Sequence, residues 1–230
     1  RILLETLVDD PDGLVLSNEE KRRDYLDLAL RENRRLTRLA EDFLTFARLE
    51  RGDLKLRRNA CDLDGIIDGV LAELAPTIES AGAIVTWNPA GHQAWGDPEA
   101  ITSVVRNLVE NALKYGIGAG GVSEIHLSTE PSSVPDHTLL VVADRGPGIA
   151  PVHQRAIFQR FFRIDDRLSN SGSGVGLGLA ICRHFVRKMK GRIDWEANPG
   201  GGSRFVVKLR SAEAQPSRSR LPENPEPALT

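Results

Sequence analysis

Gly172-Ser173-Gly174-Val175-Gly176-Leu177-Gly178-Leu179-Ala180-Ile181 sets glycine at every second position and then opens an amphipathic helix that runs to about Met189. Alternating glycines allow positive φ and leave backbone N–H groups bare to a ligand. The helix start behind them adds free N–H donors and the positive end of a dipole. Together they read as a phosphate site, with a flexible loop as the bland alternative. The stretch is neither a G-x-x-x-x-G-K-[ST] loop nor the dinucleotide fingerprint.

Working outward, the chain has 230 residues, room for one substantial domain plus smaller pieces. An apolar fraction of 40% supports a real core, and a net charge of −2 gives no field that would gather nucleic acid. No apolar run is long enough to span a bilayer, and no signal peptide opens the chain. Cys61 and Cys182 have no metal-ligand spacing and read as packing residues in a reducing compartment. The chain opens on Arg1 inside an apolar pattern and reads as part of something longer.

Residues 1–9 read as the end of a helix, broken at Pro11-Asp12-Gly13. Ser17 and Glu20 form a capping box, and a long helix follows from about 18 to 51, roughly 50 Å in length. Tyr25, Ala29, Glu32, Leu36, Leu39, Phe43 and Phe46 lie along it at alternating spacings of 4 and 3, a heptad seam with one acidic interruption. A hairpin with such a seam needs a partner, and a second copy closes a four-helix bundle; packing on the downstream domain is the alternative.

Downstream, Leu54-Lys55-Leu56 reads as a short strand, and Asp62 or Asp64 caps a helix through Leu74. Strands are expected over Ala83–Trp87, near Trp95, and over Ser123–Thr129, His137–Ala143, Arg192–Ala197 and Arg204–Leu209. Asp97-Pro98-Glu99 starts a helix that runs to about Tyr115. Gly116 to Gly121 matches G-x-G-x-x-G in the wrong order, helix before strand, and reads as a linker. A short helix is expected over 150–160, and 163–173 is a polar loop. The fold class is α+β: a helical hairpin, then helices on one face of a mixed, largely antiparallel sheet. Residues 1–52, 53–210 and 211–230 form the hairpin, the sheet domain and a proline-rich tail that reads as disordered.

On the helix from Pro98, Asn107, Asn111 and Lys114 fall within about 60° of one another, roughly 100° from the apolar stripe. Amide oxygens there suit a hard cation beside a polyphosphate, and Lys114 suits a phosphate; a solvated polar edge is the alternative. Asp144 ends a strand before a Gly-x-Gly turn. A carboxylate there accepts from an exocyclic amine, which adenine offers at C6 and guanine does not; an ordinary turn aspartate is the alternative. Phe158, Phe161 and Phe162 interleave with Arg160 and Arg163, as loop anchors and phosphate contacts or as plain core and surface.

The order of these signs resembles the ATP-binding domain of sensor histidine kinases. Asn107-Leu-Val-Glu-Asn111-Ala-Leu-Lys114-Tyr115 looks like that family's N box, Asp144-Arg-Gly146-Pro-Gly148 the G1 box, and Phe158 to Arg163 the F box. Gly172 to Gly178 looks like the G2 box, and Gly200 to Phe205 the last glycine box. Residues 17–51 resemble the second helix of the dimerisation and phosphotransfer hairpin.

The resemblance implies an α/β two-layer sandwich of the histidine-kinase ATPase type, with a Bergerat-type site for ATP and Mg2+. Asn111 would ligate the metal with Asn107 beside it, and these two with Lys114 would carry catalysis. Lys114, Tyr115, Arg160 and Arg163 would contact nucleotide, as would Gly146, Gly148, Gly172, Gly174, Val175, Gly176, Leu177 and Gly178, and Asp144 would hold the adenine amine. Residues 150–175 would form a lid, and the loop 163–173 is expected to be mobile without nucleotide and ordered by it. The γ-phosphate would pass to a histidine and then to an aspartate on a response-regulator receiver domain. The resemblance further implies a homodimer through the hairpin, no nucleic-acid partner, and a cytoplasmic domain anchored in the bacterial inner membrane through upstream segments. The family's acceptor lies in a His-Glu/Asp-Leu-Arg-x-Pro segment; none of His92, His126, His137, His153 and His184 does, so the acceptor is expected before Arg1. Hydrolytic relatives place a glutamate base where this chain has Asn107, which argues against activated water. A Bergerat-fold ATPase and a nucleotide-sensing scaffold without catalysis are the competing readings.

Overall fold

The computed structural model describes residues 19–51, 55–118, 120–164 and 175–213. The first hairpin helix, Gly52, Leu54, the tail beyond 213, and Gly172 and Gly174 lie outside the described residues.

Helix α1 (Glu19–Arg51) forms where the heptad pattern places it, with Glu19 and Glu20 in its first turn and Arg48 and Arg51 in its last, each sign complementing the dipole. The strand expected at 54–56 is absent from residues 55 and 56; residues 55–58 have no regular structure. This stretch is held as a tether instead. The Arg57 N–H donates to Asp97 Oδ2 at 2.6 Å, and the Arg58 guanidinium donates to the Lys188 carbonyl. The strand forms just after it, as β1 (Asn59–Asp62). Asp62 then caps α2 (Leu63–Ser80) by accepting from the Asp64 N–H, and Leu63, Ile67, Val70 and Leu74 form the buried stripe. Strands β2 (Ile84–Asn88) and β3 (Gln93–Gly96) follow, then α3 (Pro98–Tyr115). Asp97 accepts from the Ala100 N–H and Pro98 opens the helix, as its sequence predicts.

Strands β4 (Glu124–Pro131) and β5 (His137–Asp144) make a hairpin, and α4 (Gly178–Lys188), β6 (Arg192–Ala197) and β7 (Ser203–Arg210) complete the fold. The main sheet runs β2-β4-β5-β7-β6, parallel only between β2 and β4, and β1 and β3 pair apart from it. Period-2 alternation turns Ile125 and Leu127, Leu140 and Val142, and Phe205, Val207 and Leu209 to one face, where they meet Val104, Leu108, Ile181 and Cys182 of α3 and α4. Each such side chain contributes about 1.5–3 kcal/mol by leaving water. Among the described residues no helix is long and apolar enough to cross a membrane.

Three further expectations need correction. Residues 151–161 are a run of turns rather than a helix, because their bonds mostly close three-residue steps: His153 to Ala150, Ala156 to His153 and Gln159 to Ala156. Phe161 does not anchor a loop on the core. Its backbone takes φ of 60°, and the ring, 56% exposed, turns out to meet Phe46 edge-on at a centroid distance of 6.2 Å. Phe46 in turn leaves the expected seam: it packs against the domain core, where Leu49 is buried.

Candidate functional site

Helix α3 buries Ala100, Ile101, Val104, Val105, Leu108, Val109 and Ala112, and so carries Asn107, Asn111 and Lys114, all partly buried, along the border of that stripe. Asn107 is oriented by its own helix: Nδ2 donates to the Ser103 carbonyl at 2.9 Å. Its Oδ1 lies against the first residue of α4, where a Cβ on Gly178 would stand 2.5 Å from it. A side chain at 178 would push the two helices apart. Leu177, at the N-cap of α4, makes no side-chain capping bond. The first-turn N–H groups of an 11-residue helix thus open beside the Asn107 amide. Lys114 Nζ stands 4.4 Å above the Tyr115 ring, which is about half exposed.

The end of α3 leads to Asp144. Gly116 packs on the Asp144 Cβ, and a Cβ on Gly146 would meet the Tyr115 carbonyl at 2.5 Å. Asp144 is buried, and its Oδ1 accepts two backbone N–H groups, from Gly146 at 2.9 Å and Ser203 at 3.0 Å. Burial pushes its carboxyl above the ordinary aspartate range, against the opposing pull of those two bonds. Neither bond uses Oδ2. A carboxylate that is buried and fixed through one oxygen keeps the other as an acceptor.

Residues 161 and 162 meet Gly176. The Phe161 N–H donates to the Gly176 carbonyl at 3.0 Å, and Gly176, with φ of 76°, lies so close that a Cβ would come within 2.9 Å of the Phe162 carbonyl oxygen. Val175, Leu177 and Gly178 follow from this neck. Phe158 is buried and Phe162 half-buried. Arg160 stacks its guanidinium on Phe46 of α1 at 4.9 Å. Arg163 is partly buried beside it in sequence. Arg183 of α4 lies 5.9 Å over the Phe158 ring; burial pulls its pKa down, and repulsion from Arg187 and Arg160 adds to this. The chemistry on offer is therefore neutral amide oxygens, helix-end N–H groups and cations at one end, and a fixed carboxylate at the other.

Sequence reasoning missed several participants. Gly116 stands inside the stretch taken as a linker, yet it is a packing residue against Asp144. The first residue of β7 supplies the Ser203 N–H, and Asn198 Nδ2, from the loop between β6 and β7, donates to the Asp144 carbonyl at 2.8 Å. No local pattern marks these; the glycine run 200–202 was the one available signal.

Residues 96–213 match the family model described as histidine kinase-, DNA gyrase B- and HSP90-like ATPase. The chain is 29% identical over 203 residues to the sensor protein SrrB of Staphylococcus aureus, covering 88% of this chain and 34% of SrrB. It thus spans about a third of the length of the curated relatives it matches. Among solved structures it superposes on full-length ShkA in complex with AMPPNP at a TM-score of 0.67 and 27% identity, covering 85% of this chain and 40% of that one. The mycobacterial sensor histidine kinase MprB matches at 30% identity and a TM-score of 0.52, over 67% of this chain and 98% of that one.

Proposed function

Because the chain belongs to the histidine kinase-, DNA gyrase B- and HSP90-like ATPase family, as the catalytic domain of a sensor histidine kinase, we propose that it binds ATP between α3 and α4 and donates the γ-phosphate to a histidine. The observation that carries this is the meeting of the Asn107 amide with the uncapped start of α4 at Gly178. It brings oxygen ligands and backbone N–H donors to one place, as a metal-bearing polyphosphate requires.

In this reading Asp144 accepts a hydrogen bond from the adenine C6 amine through Oδ2. Lys114, with Arg160 and Arg163, neutralises phosphates, and Tyr115 lines the nucleotide. The turn at Gly146 and Gly148 and the glycine element 172–178 cradle it. Asn111 and Asn107 fit Mg2+ shared with phosphate oxygens: the donors are neutral, hard and adjacent, and among the described residues no group of three His, Cys, Asp or Glu side chains offers a cage of its own. When bound, Mg2+ supplies charge neutralisation at the phosphates. Asn107 cannot take a proton from water, so the site favours transfer over hydrolysis. ShkA, which this chain resembles in structure, is described in complex with AMPPNP, which supports a nucleotide as the ligand.

The acceptor is a histidine of the family's hairpin motif. His126, His137 and His184 sit on β4, β5 and α4, His92 in an irregular segment before β3 and His153 in a turn, so none stands on a hairpin helix. Transfer depends on placing acceptor nitrogen and γ-phosphate in line, which a stray surface imidazole does not achieve. The hairpin pairs two copies, and the phosphoryl group passes on to a receiver-domain aspartate. The full-length protein is held at the bacterial inner membrane, with this domain in the cytoplasm. Incubation with γ-labelled ATP tests this. The 230 residues should bind ATP and gain no acid-labile phosphate, and a supplied helix with the family's His motif should be labelled. Stable phosphohistidine on any of the five histidines would overturn the division of donor from acceptor.

A further inference from the structure

The pairing of β5 with β7 stops at Ala143 and Arg204, so the Asp144 carbonyl loses its ladder partner on that side. A buried carbonyl without a donor is costly, and something must take it up. The β6–β7 loop does so with a side chain: Asn198 Nδ2 donates to it at 2.8 Å. Gly202 packs directly on the same oxygen, with φ of 98°, so no side chain is tolerated there. The loop itself is closed by the Asn198 N–H to the Gly202 carbonyl at 3.1 Å and by the Gly201 N–H to the Asn198 carbonyl at 2.9 Å. From the opposite direction Arg145 donates to the Pro199 carbonyl at 2.6 Å. Turn and loop thus grip each other reciprocally: a loop side chain on the turn's backbone, and a turn side chain on the loop's backbone.

We infer that Asn198 is a positioning residue that sets purine specificity, an inference resting on the reading of Asp144 as the adenine contact. By holding the Asp144 carbonyl it fixes the Cα–Cβ direction. The Gly146 and Ser203 N–H groups then fix rotation of the carboxylate through Oδ1. With both constraints Oδ2 presents one lone-pair direction to the base, and an amine is favoured over a carbonyl by geometry as well as charge. Without the first, the carboxylate can tilt, and discrimination falls before affinity for the phosphates does.

The test is ATP and GTP affinity by calorimetry for the 230-residue chain and for Asn198→Ala, Asn198→Asp and Asp144→Ala. Both Asn198 variants should lose about tenfold in ATP affinity, the worth of one hydrogen bond, and leave GTP affinity unchanged. Asn198→Asp keeps the shape but places an acceptor against an acceptor, so it separates bonding from packing. A loss shared equally by both nucleotides, or an unchanged ratio, would show a purely structural role and overturn the inference. Failure of both variants to fold would do the same. If Asp144→Ala erases the ATP preference while the Asn198 variants keep it, only this inference falls. If Asp144→Ala keeps it too, the adenine assignment falls with it.

Discussion

Helices α1 and α3 are both amphipathic, but they are covered differently. In α3, 18 residues bury seven side chains against the sheet and its flanking helices. In α1, 33 residues long, Leu49 is the one buried side chain among those described, while Leu26, Leu30, Leu36, Phe43 and Leu44 stay 48–64% exposed. Periodicity predicts that a helix has an apolar face; it does not say whose surface covers it. The sandwich covers all of α3's stripe and only the last turns of α1's, at Phe46 and Leu49. An apolar strip of that length is a binding surface by ordinary expectation, and a second copy of the hairpin is the partner proposed.

The difference breaks most sharply under substitution. Leu108→Ala in α3 should cost about 2–5 kcal/mol, read by urea titration. Leu36→Asp with Phe43→Asp should leave the sandwich's unfolding midpoint unchanged, give a monomer by sedimentation, and keep ATP binding. A double variant destabilised as much as Leu108→Ala would place α1 in the core.

Next in size is the amide face of α3. Asn111→Ala should remove the Mg2+-dependent part of ATP affinity and leave the fold intact, because its side chain is only partly buried. Equal ATP affinity with and without Mg2+ in both wild type and variant would refute the metal assignment.

Asp144→Asn separates fold from function at one residue. Burial raises the folded-state pKa of Asp144, so the charged form is disfavoured relative to the unfolded chain. That cost is absent while the group is protonated in both states. It grows as pH rises from the ordinary aspartate value, about 4, through the folded value, and stays constant above it. Asparagine keeps an oxygen for the Gly146 and Ser203 bonds without the charge. The melting temperature of Asp144→Asn relative to wild type should therefore climb between about pH 4 and pH 7. Over the same range the variant should bind ATP more weakly, since an amide N–H2 would face the adenine amine. A variant that melts lower at pH 7 than at pH 4, relative to wild type, contradicts the burial account.

The smallest effect belongs to Phe46, a half-buried side chain at the edge of the core whose ring also meets Arg160 and Phe161. Phe46→Ala should cost roughly 0.5–1.5 kcal/mol. A loss above about 3 kcal/mol would mean that α1 is part of the core after all.

Local chemistry was legible, and distant pairing was not. Asp97-Pro98 announces α3 because cap and first-turn proline act on adjacent residues, and Asn107, Asn111 and Lys114 share a face by helical arithmetic. The strand placed at 54–56 failed because an alternating Leu-Lys-Leu carries no information about a sheet partner; the tether bonds at Arg57 and Arg58 reach 40 and 130 residues away. The turns at 151–161 look helical in composition, but Phe161 must reverse direction to meet Gly176. Asn198 looks like any loop asparagine until β5 and β7 are paired 60 residues apart. The three glycine-bearing motifs stood out for the opposite reason: close backbone approach excludes every other residue, so the constraint is written in composition.

The bond from Phe161 to Gly176 has a consequence for how this fold tolerates change. It joins the chain on either side of residues 163–175, so the core senses two fixed ends rather than the contour length between them. Entropy of closure rises only logarithmically with loop size, about 0.6 kcal/mol for each doubling. Insertions or deletions between 163 and 175 should therefore leave the melting of the sandwich nearly untouched. The segment is a port at which length can drift, or be engineered, independently of the scaffold.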